Sequence, residues 1–189
     1  MVIGLRLDPS ADLLATTLTK DGNSEIYLLN FNGGIDRRLT NNTDIDVSPS
    51  FSPDGKQIAF VSNRDGSAQI YKMDRDGGTT ARLTFKGGNN TSPAWSPRGD
   101  KLLFAGMDTD GHFDIFSMGV DGSNMVRLTY DTRNNTDPAW APDGQMIAFA
   151  SDRTRISQIY IMRPDGSHQV QLTKDAFQHL MPAWGPKPK

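Results

Sequence analysis

Few residues of this chain are arranged as catalytic or metal-binding groups usually are. Residues 74–78 and 108–112 begin like calcium-binding loops, but the twelve-residue ligand pattern with its terminal Glu is missing, so turn formation explains them better. The three histidines have no metal-ligand spacing, and the chain has no Cys to complete a zinc site. No G-x-S-x-G motif surrounds a serine. We therefore predict no catalytic residues, no metal site and no cofactor, and hence a protein that is not an enzyme.

One polar position recurs three residues before a proline in each quarter of the chain. Its occupants are Asp46, Asn90, Asn135 and His179. A ring of such side chains could bind a cation or the main chain of a protein partner. Ordinary polar loop residues explain the recurrence about as well, so both interpretations stay open at this point.

The elements that position these residues repeat along the sequence. The Leu of an Arg-Leu-Thr-type triplet lies at 39, 83, 128 and 172, and the aromatic residue before a tight turn lies at 51, 95, 140 and 184. Both landmarks advance in steps of 44, 45 and 44 residues, and the one extra residue lies within 106–113, which we assign to a loop. The chain is therefore an array of about four related units.

Each unit is predicted to contain four short strands. In the second unit these are "PSF", "KQIAFVS", "AQIYKMD" and "TARLT", separated by Gly, Pro, Asp and Asn in the turns. No segment has a sustained helical period. We predict an all-β fold, a β-propeller of four-stranded antiparallel blades with about four blades per chain. A single module, 1–189, would hold repeats at about 7–50, 51–94, 95–139 and 140–183, with an extra C-terminal strand at 181–186.

Composition excludes several classes of partner. The net charge is −2, which gives no electrostatic attraction for nucleic acid. No apolar run is long enough for a membrane span, so no membrane insertion is expected. The first ten residues, "MVIGLRLDPS", place charges where a signal peptide needs an apolar stretch, so no signal peptide is predicted.

The segments "PAWSPRGDKLLFAG", "PAWAPDGQMIAFASDR" and "QIYKMDRDGG" resemble the WD40-like repeat (PD40) of TolB-type propellers, and the resemblance runs from Leu7 to Trp184. It implies a non-catalytic, periplasmic protein-binding scaffold whose partner is an envelope lipoprotein. That family has an N-terminal domain and six blades, more than this chain provides. Two alternatives remain: an accessory propeller domain of a hydrolase or peptidase, since the repeat also occurs there, or an engineered or truncated array whose only property is assembly.

The binding residues are expected on one face of the propeller. The first and third turns of each unit are short and nearly invariant, whereas the connections between units, with the loops around Arg64, Asp110 and Arg155 beside them, are longer and more varied, as binding loops on a rigid scaffold usually are. The predicted partner-binding residues, at the mouth of the central channel, are Asp44, Asp46, Asn89, Asn90, Asn134, Asn135 and His179. A cation in that channel is the one cofactor that the pattern leaves open.

Ring closure is the last expectation. The sequence "MPAWGP" (181–186) supplies a fifth first strand, which we expect to complete the blade begun by the strands near Leu14 and Ile26. A homodimer closing an eight-bladed ring is favoured, because it changes the angle between blades less than a four-bladed monomer would. An open arc is the least favoured state, since it would expose apolar blade faces.

Overall fold

A computed structural model describes residues 3–7, 12–20, 22–130 and 133–185. Within these residues every regular element is a β-strand, which confirms the all-β prediction. The strands are β1 (Ile3–Leu7), β2 (Leu13–Lys20), β3 (Asn23–Asn30), β4 (Ile35–Arg38), β5 (Asp46–Phe51), β6 (Gln57–Ser62), β7 (Gln69–Asp74), β8 (Ala81–Arg82), β9 (Asn90–Trp95), β10 (Lys101–Met107), β11 (Phe113–Gly119), β12 (Val126–Arg127), β13 (Asn135–Trp140), β14 (Ile147–Ser151), β15 (Gln158–Met162) and β16 (Val170–Gln171).

The strands form four antiparallel sheets, each made of four consecutive strands in sequence order. Each sheet is one propeller blade, and the predicted four-stranded unit is confirmed. Strand pairing places large rings opposite each other in three blades. Phe60 pairs with Tyr71 and Phe104 with Phe116, with ring centroids 5.8 and 5.3 Å apart. Strands β6 and β10 are almost fully buried because a neighbouring sheet covers each of their two faces, and β14 of the last blade is buried as well, although only blade 3 packs its sheet against it.

Three apolar cores lie between consecutive blades. The first contains Ile26 and Leu28 of blade 1 with Phe60 of blade 2. The second joins Val61 of blade 2 to Phe104 of blade 3, and the third repeats the arrangement between blades 3 and 4. Because residues alternate between the two faces of a strand, β6 and β10 each contribute side chains to the core on both sides. The blades are thus held together by the burial of apolar side chains.

Glycines allow the turns of one blade to approach the next. Gly122 and Gly166, both at φ 84, lie in the turns before β12 and β16. A Cβ atom on Gly122 would lie 2.7 Å from the carbonyl oxygen of Leu83, and one on Gly166 would lie 2.6 Å from that of Leu128. Any other residue would combine an unfavourable φ with a collision against main chain. These glycines therefore set the close contact between neighbouring blades.

The four blades form an open arc. No strand of blade 4 contacts a strand of blade 1 among the described residues. Leu172 of blade 4 is 54% exposed, whereas its equivalents, Leu83 and Leu128, are 4% exposed because a following blade covers them. For the single chain, an open arc was the state we least expected, and the exposed Leu172 is the apolar cost that we predicted for it.

The predicted use of the C-terminal strand is wrong for the single chain. β1 pairs with β2, so the N-terminus itself supplies the first strand of blade 1. Residues 181–185 form no strand, since no partner strand lies beside them; residue 186 is outside the described part. The segment still takes the path of a first strand: the Trp184 indole donates to the carbonyl of Ala139 at 3.0 Å, as that of Trp95 does to Ser50.

Candidate partner-binding face

The two ends of the strands produce two different faces. On the turn face lie the short turns within each blade, such as 52–56, 96–100 and 141–146. The opposite, long-loop face carries the connections that come after each outer strand (39–45, 83–89, 128–130 with 133–134, and 172–180), with the loops at 63–68, 108–112 and 152–157 beside them. All seven predicted partner-binding residues lie on or next to the long-loop face.

Three of these seven residues are buried instead of lining an open channel mouth. Asp46, Asn90 and Asn135 are 0%, 3% and 0% exposed. Each begins the first strand of its blade; Asn90 and Asn135 contact the preceding blade, and Asp46 contacts Asn42 of the connection before it. Asn90 donates to Gln69 at 2.9 Å, and Asn135 donates to Asp114 at 3.0 Å. The expectation that their side chains face the channel is therefore corrected: they are buried beneath the loops.

The residues that accept these hydrogen bonds were not predicted from the sequence. Glu25, Gln69, Asp114 and Gln158 occupy one repeat position, directly before the Ile of each third strand, and all four are buried. A threonine further along the blade also donates to this position, from Thr84 to Gln69 at 2.7 Å and from Thr129 to Asp114 at 2.5 Å. These residues could have been predicted, because a polar residue occupies the same position in every repeat.

Asp114 carries the strongest of these networks. Burial raises the pKa of its carboxyl group above the usual value, although Thr129, Arg127 and Asn135 all donate hydrogen bonds to it. An isolated buried carboxylate would be very unfavourable, so these three donors are what make the site tolerable. The network fixes blade 4 against blade 3.

The other four predicted residues differ in exposure. Asn89 is exposed, and Asp44 is half-buried. Asn134 bridges blades, because its side chain donates to Asp152 at 3.0 Å and accepts from the main chain of Phe113 at 3.1 Å. His179 is half-buried and contacts the carboxylate of Asp175 at 2.9 Å. Asp44 and Asn89 are therefore the two that a partner could contact most readily.

A second position on the innermost strands was also missed. Ser48, Ser92, Asp137 and Met181 directly precede the prolines, and all have φ between 51 and 55. This conformation is uncommon for residues with a side chain, and in the three strands it accompanies a break in register. Ser92 donates to Asp137 of the adjacent blade at 3.3 Å. The bulge re-aims the first strand, which is why counting back from the proline misplaced the channel-facing side chains.

The long-loop face also exposes one large ring in each of three consecutive connections. Phe85, Tyr130 and Phe177 are 72%, 71% and 74% exposed. The guanidinium of Arg82 lies 5.0 Å from the Phe85 ring centroid, and that of Arg127 lies 5.1 Å from the Tyr130 ring centroid. Exposed aromatic side chains next to arginine are typical of the residues that dominate protein interfaces.

Acidic side chains hold these arginines in place: Asp65 is exposed, Asp108 is half-buried and Asp114 is buried. Arg82 pairs with Asp65 at 3.1 Å, and Arg127 pairs with Asp108 at 3.0 Å and with Asp114. The hydroxyl of Tyr71 and then Arg82 lower the pKa of Asp65, while burial and Asp65 raise the pKa of Tyr71 to about 12. The arginine positions are thus set before any partner arrives, which reduces the entropy lost on binding.

The turn face has fewer features that a protein partner could bind. It has shallow clefts of about 200 and 550 Å³, lined by repeated turn residues such as Pro53 and Arg98. The one exposed ring among the described residues of these turns is Phe31, at 58%.

In the described part of the chain, no group of three or more His, Cys, Asp or Glu is placed to hold a metal. No helix there is long and apolar enough to cross a membrane.

A family model described as the TolB beta propeller domain matches residues 1–188. The chain belongs to the TolB β-propeller family. A solved structure of a putative TolB from Agrobacterium tumefaciens is 30% identical, with a TM-score of 0.85 over 96% of this chain and 65% of that one. TolB from Acinetobacter baumannii is 29% identical, with a TM-score of 0.87 over 97% of this chain and 46% of that one.

Curated TolB relatives match over shorter segments. A TolB homologue of Chlorobium chlorochromatii is 52% identical over 48 residues, which is 25% of this chain and 11% of that protein. A TolB homologue of Chlorobium luteolum is 46% identical over 61 residues, 31% of this chain and 14% of that protein. The matched segments thus span a small part of these relatives, and the chain covers 65% and 46% of the two solved TolB structures.

Proposed function

We propose that this TolB-type propeller is a non-catalytic scaffold that binds a protein partner on its long-loop face. By analogy with the Tol-Pal system named for a Geobacter sulfurreducens relative, the partner would be an envelope lipoprotein, and the location would be the periplasm. Family membership supports a propeller scaffold, and the varied, ring-bearing connections support this face over the uniform turn face.

The observation that carries the proposal is the row of exposed rings. Phe85 and Tyr130 lie in successive connections, each beside an arginine fixed by acidic residues. In this proposal the rings fill apolar pockets of the partner, while Asp44 and Asn89 make polar contacts around them. Asp46, Asn90 and Asn135 act indirectly, by holding the connections at the blade boundaries.

The proposal predicts unequal effects of removing rings from the two faces. We expect Phe85→Ala combined with Tyr130→Ala to weaken binding of a peptidoglycan-associated lipoprotein's soluble domain at least about 10-fold, since interface hot spots exceed about 1.4 kcal/mol. Phe31→Ala removes an exposed ring from the turn face and should change affinity less than about 2-fold. Isothermal titration calorimetry with the lipoprotein from the same organism measures both. Equal losses, or a larger loss with Phe31→Ala, would reject the long-loop face.

We further propose that two copies associate into one eight-bladed ring. The support is the uncovered end of blade 4, where Leu172 is 54% exposed and Trp184 is 37% exposed, in contrast to 9% for Trp95. A second copy would provide the blade that covers these side chains, as blades 3 and 4 do for the equivalent residues before them. Burial of Leu172 would then favour association.

Light scattering behind a sizing column distinguishes the assembly states. The proposal predicts twice the 20.8 kDa mass of one chain at micromolar concentration. Leu172→Glu places a charge in the contact and should return the protein to the mass of one chain, while Val126→Glu, on an exposed outer strand, should leave the dimer intact. A wild-type mass of one chain would eliminate the dimer.

A further inference from the structure

The contact between blades 1 and 2 differs from the other two in its chemistry. The two repeat positions that are hydrogen-bonded to each other at the later contacts are occupied here by Glu25 and Asp46, both carboxylates and both 0% exposed. The next two contacts instead place an amide donor against an acceptor, Asn90 on Gln69 and Asn135 on Asp114. At the first contact neither residue can donate a hydrogen bond to the other when both are ionised.

Each of the two carboxylates has donors on one oxygen only. Glu25 Oε1 accepts from Asn23 and Arg38 at 3.0 Å, and from the main chain of Asn42 at 3.1 Å. Asp46 Oδ2 accepts from Asn42 at 2.6 Å and from Arg64 at 2.9 Å. The remaining oxygens, Glu25 Oε2 and Asp46 Oδ1, are buried without a hydrogen-bond partner. Such atoms are costly unless something satisfies them.

The two carboxylates belong to one small cluster. Asn42 contacts both of them, through its main-chain N–H and its side-chain amide. The side chain of Asn23 donates to Glu25 and also to the carbonyl oxygens of Asn42 and Asp44, at 2.8 and 2.6 Å. One hydrogen-bonded cluster thus contains two carboxylates, two main-chain carbonyl oxygens and the two unpartnered atoms. Oxygens of these two kinds are the ligands that hard cations prefer.

We propose that this cluster binds one hard metal cation, with Glu25 Oε2 and Asp46 Oδ1 as its anionic ligands. Arg38 and Arg64, both 26% exposed, each pair with one oxygen of their carboxylate, which leaves the two unpartnered oxygens as the ligands for the ion. The site joins blade 1 to blade 2 and includes Asn42 and Asp44 of the connection 39–45. Bound cation would therefore order the first connection of the long-loop face.

Asp46→Asn tests the site, because the equivalent position at two other blade contacts is already an asparagine. At the contact between blades 3 and 4, Asn135 donates to Asp114 and accepts from Arg153 at 3.0 Å. Asp46→Asn would reproduce that arrangement between Glu25 and Arg64, supplying the missing donor and removing one anionic ligand. The variant should fold, and it should no longer need a cation.

Thermal unfolding followed by circular dichroism provides the measurement. With EDTA, Asp46→Asn should have the higher Tm. With CaCl2 at about 100-fold above its Kd, the wild-type Tm should rise by about 5–10 °C while that of Asp46→Asn stays constant. Glu25→Gln should lose the response too, and Asp54→Asn on the turn face should keep it. MgCl2 and NaCl, against choline chloride at equal ionic strength, identify the ion.

Calorimetric titration of the wild-type protein with CaCl2, MgCl2 or NaCl should give one site per chain for the ion that raises the Tm. A wild-type Tm that no ion raises would overturn the proposal. So would an equal rise in Asp46→Asn, or a Tm that responds only to acid, since a proton shared by the two carboxylates would then satisfy them.

Discussion

Replacing Phe104 with Ala is expected to lower the free energy of unfolding by about 3–5 kcal/mol, as truncation of large buried aromatic residues does. Phe104 is 1% exposed and lies on β10 in the core between blades 2 and 3. Its ring also stacks on Phe116 at 5.3 Å, so the substitution removes this contact and leaves a cavity between two sheets.

Urea unfolding monitored by tryptophan fluorescence measures this loss. Val126→Ala is the matched control, because Val126 is 50% exposed on the outer strand of the same blade and should change stability by less than about 0.5 kcal/mol. A loss below about 1 kcal/mol for Phe104→Ala would mean that the blades do not enclose a packed core at this position.

Replacing Asp114 with Ala is expected to cost about 3 kcal/mol, for a different reason. The carboxylate is fully buried and accepts from Arg127, Thr129 and Asn135. Its removal leaves these donors without their acceptor where solvent reaches them poorly, and unsatisfied buried donors cost about 1–3 kcal/mol, more when charged. Arg127 is 30% exposed, which limits its share of the loss.

Asp114→Asn is the conservative comparison. It keeps one acceptor oxygen, as Gln69 does at the equivalent position of blade 2, so urea unfolding should give a loss smaller than that of Asp114→Ala. If the two variants were equally destabilised, the charge of Asp114 would matter more than its role as an acceptor. If neither were destabilised, the network would contribute nothing to the contact between blades 3 and 4.

The fold could be predicted from the sequence because its information is local and repeated. Short runs of β-forming residues between turn residues specify each strand, and landmarks such as Leu83 and Leu128 recur at blade spacing. The apolar cores between neighbouring blades use similar residue types each time, so the core of one blade predicts that of the next. The aromatic positions illustrate this, since Phe60 and Phe104 occupy equivalent places in successive cores.

The candidate site was less predictable, because its geometry depends on contacts between blades. Asn90 is buried because Gln69, on another blade, accepts its hydrogen bond, and no local pattern reports that pairing. The bulge at Ser92 changes which side chains of β9 face inward. The sequence also repeats Trp184 as faithfully as Trp95, although only Trp95 is covered in the single chain. Exposure at the end of an array depends on whether a further blade packs against it.

The central claim, that a protein partner docks on the long-loop face, is tested most directly by hydrogen–deuterium exchange with and without the soluble domain of the lipoprotein. We predict slower exchange in the connections 83–89 and 172–180, with the turns 52–56 and 96–100 unchanged. Slower exchange in those turns, with the connections unchanged, would contradict the assignment of the binding face.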